Sequence, residues 1–190
     1  MQLGVVAGAN IFTFGGSDAS GVTSRTAFYA GAALTIPLGA NAFVEPQLLY
    51  SAEGAKMTVF DSTLATNVTG TFKLAYLRVP VLFGLNFGSA GGVRPRIYAG
   101  PAIGIKASCN LEASAMGTSV SSSCTDVDLK MKGVDLGVTG GGGATIPVGR
   151  GTISVDARYT LGLTDVYDAL NMKNKGFSIG AGFTFPLGGK

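Results

Sequence analysis

The chain has no histidine and no tryptophan, and only 13% of its 190 residues are charged. Without imidazole, the His-dependent nucleophile systems and histidine metal sites are excluded. The scarcity of charge excludes a second class. Ordinary soluble domains carry about 25% charged residues, so this chain has about half the usual ionic surface. Its net charge of +3 is small and scattered, which is no electrostatic footprint for nucleic acid. A long apolar run is missing as well. A spanning helix needs roughly 20 apolar residues. The best charge-free window, Thr26–Val44, is interrupted by Ile36-Pro37-Leu38-Gly39-Ala40-Asn41, a turn signal. The first 17 residues contain Gly4, Gly8, Asn10 and Gly15 and lack a basic start. They do not read as a leader, so an exported chain is expected to have lost its leader before residue 1.

What is abundant is glycine and alternation. The 30 glycines are roughly twice the usual 7%. Hydrophobic residues make up 46% of the chain, and mean hydropathy is +0.38. Period-two alternation recurs between glycine-rich or polar breaks, which is the pattern of strands. Eight strands are predicted, near 2–13, 25–36, 42–56, 71–87, 94–107, 129–146, 152–164 and 176–187. The fourth is the clearest. Ala75, Leu77, Val79, Val81, Phe83, Leu85 and Phe87 share one face, against Tyr76, Arg78, Pro80, Leu82, Gly84 and Asn86. Segments of about 10 residues with one apolar and one small or polar face mark a transmembrane barrel. The expected fold class is all-β, an eight-stranded antiparallel up-and-down transmembrane β-barrel, with residues 1–190 as a single domain.

The breaks alternate in length. Short ones fall at 37–41, 88–93 and 147–151, and longer polar ones at 14–24, 57–70, 108–128 and 165–175. Short turns on one rim and long loops on the other fit an outer-membrane barrel. Thr35-Ile36-Pro37-Leu38-Gly39, Thr145-Ile146-Pro147-Val148-Gly149 and Thr184-Phe185-Pro186-Leu187-Gly188 share one pattern. They close the second, sixth and eighth strands, so all three are expected at one rim, read as periplasmic. Gly100, Gly104, Gly137, Gly141, Gly143, Gly162, Gly180 and Gly182 are expected to face inward, where eight strands leave little room.

The last strand, Ser178-Ile179-Gly180-Ala181-Gly182-Phe183-Thr184-Phe185, follows a polar-x-Gly-x-x-aromatic-x-aromatic pattern. With Tyr76-Leu77-Arg78-Val79-Pro80-Val81 and Tyr98-Ala99-Gly100-Pro101, it resembles the small bacterial outer-membrane β-barrels related to outer membrane proteins A and X. The resemblance covers essentially the whole chain. It implies a Gram-negative outer membrane and surroundings of lipid and lipopolysaccharide. It also implies a monomer, and an assembly signal at Gly180, Phe183 and Phe185 read by the barrel assembly machinery. Family members often end on the aromatic, whereas Pro186–Lys190 follow here.

Inward positions carry Glu45, Arg78, Arg94, Arg96, Lys106, Asp135, Asp156 and Arg158, with Gln47 and Asn86. A lone charge in a narrow barrel is heavily penalised, so these are expected to pair as a largely static, polar plug. Cys109 and Cys124, the two cysteines, lie in one Ser-rich loop and are expected to form a disulfide in an oxidising compartment. Two thiols without histidine are too few for a metal. Gly140–Gly143 lacks the Lys-Ser/Thr of a phosphate loop. The Asn67-Val68-Thr69 sequon is uninformative in a bacterial context. No nucleophile-and-base spacing stands out, so neither an enzyme nor a cofactor is expected. The expected function is a scaffold with a structural, adhesive or recognition role. Its loops, above all 108–128, would meet an extracellular protein or surface ligand. One alternative is a narrow channel or transporter for small solutes or apolar molecules. The other is a soluble lipocalin-like barrel with apolar residues inside, which normally carries a Gly-x-Trp start.

Overall fold

The structure, a computed structural model, describes residues 1–62, 65–89, 91–126, 131–167 and 170–188. Its strands are β1 (Gln2–Gly15), β2 (Val22–Pro37), β3 (Ala42–Asp61), β4 (Thr66–Asn86), β5 (Arg94–Ala115), β6 (Thr118–Ser123), β7 (Val134–Val148), β8 (Gly151–Tyr167) and β9 (Leu170–Pro186). All but β6 close a ring. Each pairs antiparallel with the next, β5 pairs with β7, and β9 returns to β1 from Gln2↔Pro186 to Gly15↔Lys173. Closure removes the bare edges that lipid does not tolerate, where each unpaired backbone group costs several kcal/mol.

Alternation along each strand separates two media. On β4, Leu77, Val79, Phe83 and Leu85 are exposed, whereas Tyr76, Arg78 and Leu82 are buried. On β8, Val155, Tyr159, Leu161 and Leu163 face out, and Ser154, Asp156, Arg158 and Thr160 are buried. An exposed band of large apolar side chains this extensive fits hydrocarbon, not water. The same orientation overturns the lipocalin-like alternative, which needs the apolar face inside. Pro37 and Pro186 end β2 and β9, where a missing N–H removes no interior ladder bond.

The short turns β2–β3, β4–β5 and β7–β8 lie at one rim. Thr35, Pro37, Thr145, Pro147, Thr184 and Pro186 of the three repeated pentads all line one cavity of about 400 Å³ there.

The opposite end differs from the expectation. Segments predicted as long polar loops are largely strand: β3 runs to Asp61, β4 starts at Thr66, β8 runs to Tyr167 and β9 starts at Leu170. Within 108–128, the top of β5 turns at Met116-Gly117, with φ of 50° and 80°, into β6. Backbone pairing continues where the lipid-facing pattern stops, so hydropathy ends the strands too early. Residues 63–64, 90, 127–130, 168–169 and 189–190 lie outside the described residues. They fall in the predicted breaks, in the start of the predicted sixth strand, which is observed as β7, and in the C-terminal tail.

These extensions make the barrel uneven. Pairing of β3 with β4 reaches Asp61↔Thr66, and pairing of β4 with β5 reaches Thr69↔Ser114. Pairing of β5 with β7 ends at Ile105↔Val134. On one side a wall therefore rises about ten residues further, on the order of 30 Å at ~3.3 Å per residue. β6 pairs only with β5 among the described residues, from Asn110↔Ser123 to Ala115↔Thr118. Its other edge has no strand partner among the described residues.

Candidate functional site: the barrel interior and the wall above it

Alternation places Glu45, Gln47, Ser51 and Glu53 of β3 inside, together with Arg78, Arg96, Asp135, Asp156 and Arg158 from β4, β5, β7 and β8. Glycine on neighbouring strands makes the space. A Cβ on Gly180 would lie 2.1 Å from Tyr29 Oη, and one on Gly143 would lie 2.6 Å from Asp156 Oδ1.

The charges gather in two clusters. Nearer the short turns, Arg96 donates from Nε and Nη2 to Asp156 Oδ1 and Oδ2 at 2.7 and 2.6 Å. Its Nη1 donates to Glu45 Oε2 at 3.1 Å. Glu45 also accepts from the Thr35 hydroxyl at 2.8 Å and the Gln47 amide at 2.7 Å. Towards the wall, Arg78 donates from Nε and Nη2 to Glu53 Oε1 and Oε2 at 2.5 and 2.6 Å, and from Nη2 to Asp135 Oδ2 at 2.6 Å. The Ser51 hydroxyl donates to Glu53 at 2.8 Å, and the Asn174 amide donates to Asp135 at 3.2 Å. Buried ions are tolerable when their geometry is good and their remaining lone pairs are used. The cluster around Arg96 meets that condition, whereas in the other Arg78 Nη1 and Asn174 Oδ1 have no partner among the described residues.

Arg158 lies between them and differs. It donates to Gln47 Oε1 at 2.8 Å and to Tyr29 Oη at 3.2 Å, with its guanidinium 4.9 Å from the Tyr29 ring centre. No carboxylate among the described residues pairs with it.

Of the eight charges predicted for the interior, Glu45, Arg78, Arg96, Asp135 and Asp156 are brought into ion pairs. Arg94 and Lys106 depart from the expected pairing. Arg94 sits at the short-turn rim and donates to the Ala40 carbonyl and Asn41 Oδ1, both at 3.1 Å. Lys106, at the other end, donates to the Met131 carbonyl at 2.5 Å. Near the barrel ends, loop carbonyls take the place of carboxylates.

One inward charge escaped the sequence reading. Glu53 is fully buried, and its parity with Glu45 and Gln47 was the available signal. Arg25 donates to the Glu53 carbonyl from the side of Tyr50 and Glu112, where the irregular register of β2 on β3 between Ser24 and Tyr29 takes it out of step with Tyr29.

A disulfide joins Cys109 to Cys124, with Cα atoms 5.5 Å apart, across the base of the β5–β6 hairpin. In the last strand, Gly180 faces Tyr29, while Phe183 and Phe185 lie on the exposed apolar belt.

The wall has two unlike faces. Val22, Met57, Gly70, Ala113 and Val120 stand opposite one another in a row across β2 to β6. The neighbouring row on the same face is Ala55, Phe72, Leu111 and Ser122. Ala55 belongs to a buried cluster with Phe14, Leu74, Tyr76 and Val166, against which Phe72, Cys109, Met131 and Met172 pack. The inner face of the wall thus continues the apolar layer at the barrel mouth. Its outer face carries the Lys73–Glu112 ion pair at 2.6 Å and the Thr58–Thr69 hydroxyl contact at 3.0 Å.

The profile of the family described as outer membrane protein beta-barrel domain matches residues 1–168. Neisserial surface protein A has a similar solved structure, at 14% identity and a TM-score of 0.54, with 97% of each chain covered. OprG of Pseudomonas aeruginosa is also similar, at 12% identity and a TM-score of 0.49, covering 98% of this chain and 96% of that one. So is Ail, the attachment invasion locus protein of Yersinia pestis, at 16% identity and a TM-score of 0.44, with coverage of 97% and 98%. No curated protein sequence matches the chain.

Proposed function

The chain belongs to the outer membrane protein beta-barrel domain family, and from that premise we propose that it is a non-catalytic display scaffold of the Gram-negative outer membrane. All 190 residues serve as one barrel domain, and the wall is its recognition surface. The partner is an extended segment of an extracellular protein that adds as a strand to β6.

One observation carries this reading: the edge of β6 that has no strand partner among the described residues is held rigid and left unguarded. Protective edges usually carry charge, proline or a bulge, and Thr118–Ser123 has neither charge nor proline. The disulfide fixes the hairpin base. The Cys124 N–H donates to the Cys109 carbonyl at 3.1 Å. By strand alternation, Ser119, Ser121 and Ser123 then turn their backbone groups to that edge. That is the geometry for β-augmentation, in which main-chain bonds give affinity.

The test is a peptide library panned against purified barrel in detergent, with wild type and Ser121→Pro compared. Proline removes an outward N–H while sparing the β5–β6 ladder. Peptides recovered on wild type should fail on the variant. Equal recovery on both would sink the reading.

The interior is read as closed, because paired charges and aromatic rings fill it, and no large, stable single-channel conductance is expected. Phe183 and Phe185 are assigned to recognition by the assembly machinery. A second reading rests on the apolar inner face of the wall, which would hold a small apolar molecule above the mouth.

A further inference from the structure

Midway along the barrel, between the two charge clusters, lies a cavity of about 20 Å³ lined by Asn10, Ser51, Arg78, Thr139, Arg158 and Thr160 among others. A single water needs roughly 10–15 Å³, so there is room for one small occupant. Its chemistry is set by the groups around it. Arg78 and Arg158 are 4% and 6% exposed. Arg78 Nη1 and Arg158 Nε have no hydrogen-bond partner among the described residues. Glu53 and Asp135 are engaged through Arg78 Nε and Nη2, which leaves Nη1 without an acceptor among the described residues. The Thr139 and Thr160 hydroxyls lie 2.9 Å apart. One donates to the other, so one hydroxyl proton stays available.

Guanidinium N–H groups and a hydroxyl proton therefore lack acceptors around a space whose lining includes no carboxylate. Water would satisfy two donors with its lone pairs and then present two protons of its own. An anion accepts from every side and offers none. The wider charge balance points the same way. Arg78, Arg94, Arg96, Lys106 and Arg158 face the interior against Glu45, Glu53, Asp135 and Asp156, an excess of one cation among the described residues. Arg158 is the deeply buried one without a carboxylate.

We propose that this cavity binds one small monovalent anion of the halide type, held between Arg78 and Arg158. The anion completes the hydrogen bonding of both guanidinium groups and gives Arg158 its missing counter-ion. It also joins the two charge clusters into one continuous network along the barrel.

The experiment uses the full chain folded in detergent, with bromide as the probe. Crystals grown in bromide should show one anomalous peak in the cavity. Thermal unfolding at constant ionic strength should shift upward in bromide with a saturable dependence, and should shift much less in fluoride, whose hydration is stronger. Arg158→Gln should abolish the bromide dependence. Should that variant fail to fold, Thr139→Val with Thr160→Val tests the same site, because the pair keeps the shape and removes both hydroxyls. It should raise the half-saturating bromide concentration about tenfold, the size expected for one hydrogen bond to a charged group. An ordered water without anomalous signal overturns the proposal. So does a bromide dependence that is unchanged in the variant.

Discussion

The same strands serve two environments with opposite polarity. Within the belt, β3 turns Glu45, Gln47 and Ser51 inward and Leu48 and Tyr50 outward. Above it, β3 turns Ala55, Met57 and Val59 inward and Lys56 and Thr58 outward, with exposed Phe60 at the tip as the exception. β4 follows suit. Arg78 points in and Leu77 and Val79 out in the belt, whereas Phe72, Gly70 and Val68 point in and Lys73 and Thr69 out above it. The alternation of sides persists while the medium outside changes from lipid to water. Strand pairing is thus carried by the backbone, and the side chains record which solvent each face meets. A charge inside the belt depends on its partners, and a charge on the outer wall is served by water.

The most direct way to break this comparison is to orphan one charge in each region. Glu53→Ala leaves Arg78 with only Asp135. Breaking a buried pair by removing one partner typically costs about 3–5 kcal/mol, and that loss is expected in urea unfolding from lipid vesicles. Glu112→Ala on the wall breaks a pair whose side chains are 28% and 37% exposed, so about 0.2–1 kcal/mol is expected. Equal losses would mean that water screens both regions alike. A new charge on each outer face sharpens the contrast. Val79→Arg places a cation in the lipid belt and should cost about 2–4 kcal/mol in the same assay. Thr58→Arg on the outer wall should change stability by no more than about 0.5 kcal/mol.

This contrast also explains what the sequence made legible. The eight ring strands could be read because hydrocarbon imposes an apolar outer face over a fixed height. The predicted ends at 56 and 71 fall where β3 and β4 leave the belt and the apolar side changes from outer to inner. β6, rich in serine, gave no hydropathy signal because neither of its faces meets lipid. Glu45, Arg78, Arg96, Asp135 and Asp156 were recoverable from parity alone. Their grouping into two clusters was not, since which carboxylate reaches which arginine depends on strand stagger. The orphaned donors of Arg78 and Arg158 could not be seen from any single strand.

Glycine tests how tightly each region is filled. Gly180→Ala would thrust a methyl against Tyr29, and overpacking of this kind costs about 1–3 kcal/mol. Gly70 lies on the inner wall, where an added Cβ would meet nothing closer than the Met57 carbonyl at 3.8 Å. Gly70→Ala should be neutral or gain about 0.4–1 kcal/mol through a less flexible unfolded chain. Purified protein refolded into vesicles keeps the first test free of cellular machinery. A Gly180 defect that vanishes there and persists in cells would assign this glycine to assembly rather than packing.

The smallest effect on stability is expected where the inner wall meets water. Met57 and Val120 are 40% and 65% exposed, so Met57→Ser with Val120→Ser removes little burial and should shift unfolding by less than about 1 kcal/mol. The pair is nevertheless informative. Both residues lie in the apolar row over the mouth, on either side of Gly70 and Ala113. If that row receives an apolar molecule, an environment-sensitive apolar dye should brighten on wild-type barrel in detergent and lose most of that signal on the double variant. Ser121→Pro, which alters the edge and spares this face, should leave the dye signal intact. Dye binding unchanged in the double variant would leave the row as the dry backing of the β6 edge. Loss of dye binding in Ser121→Pro as well would show that the edge and the inner face work as one surface.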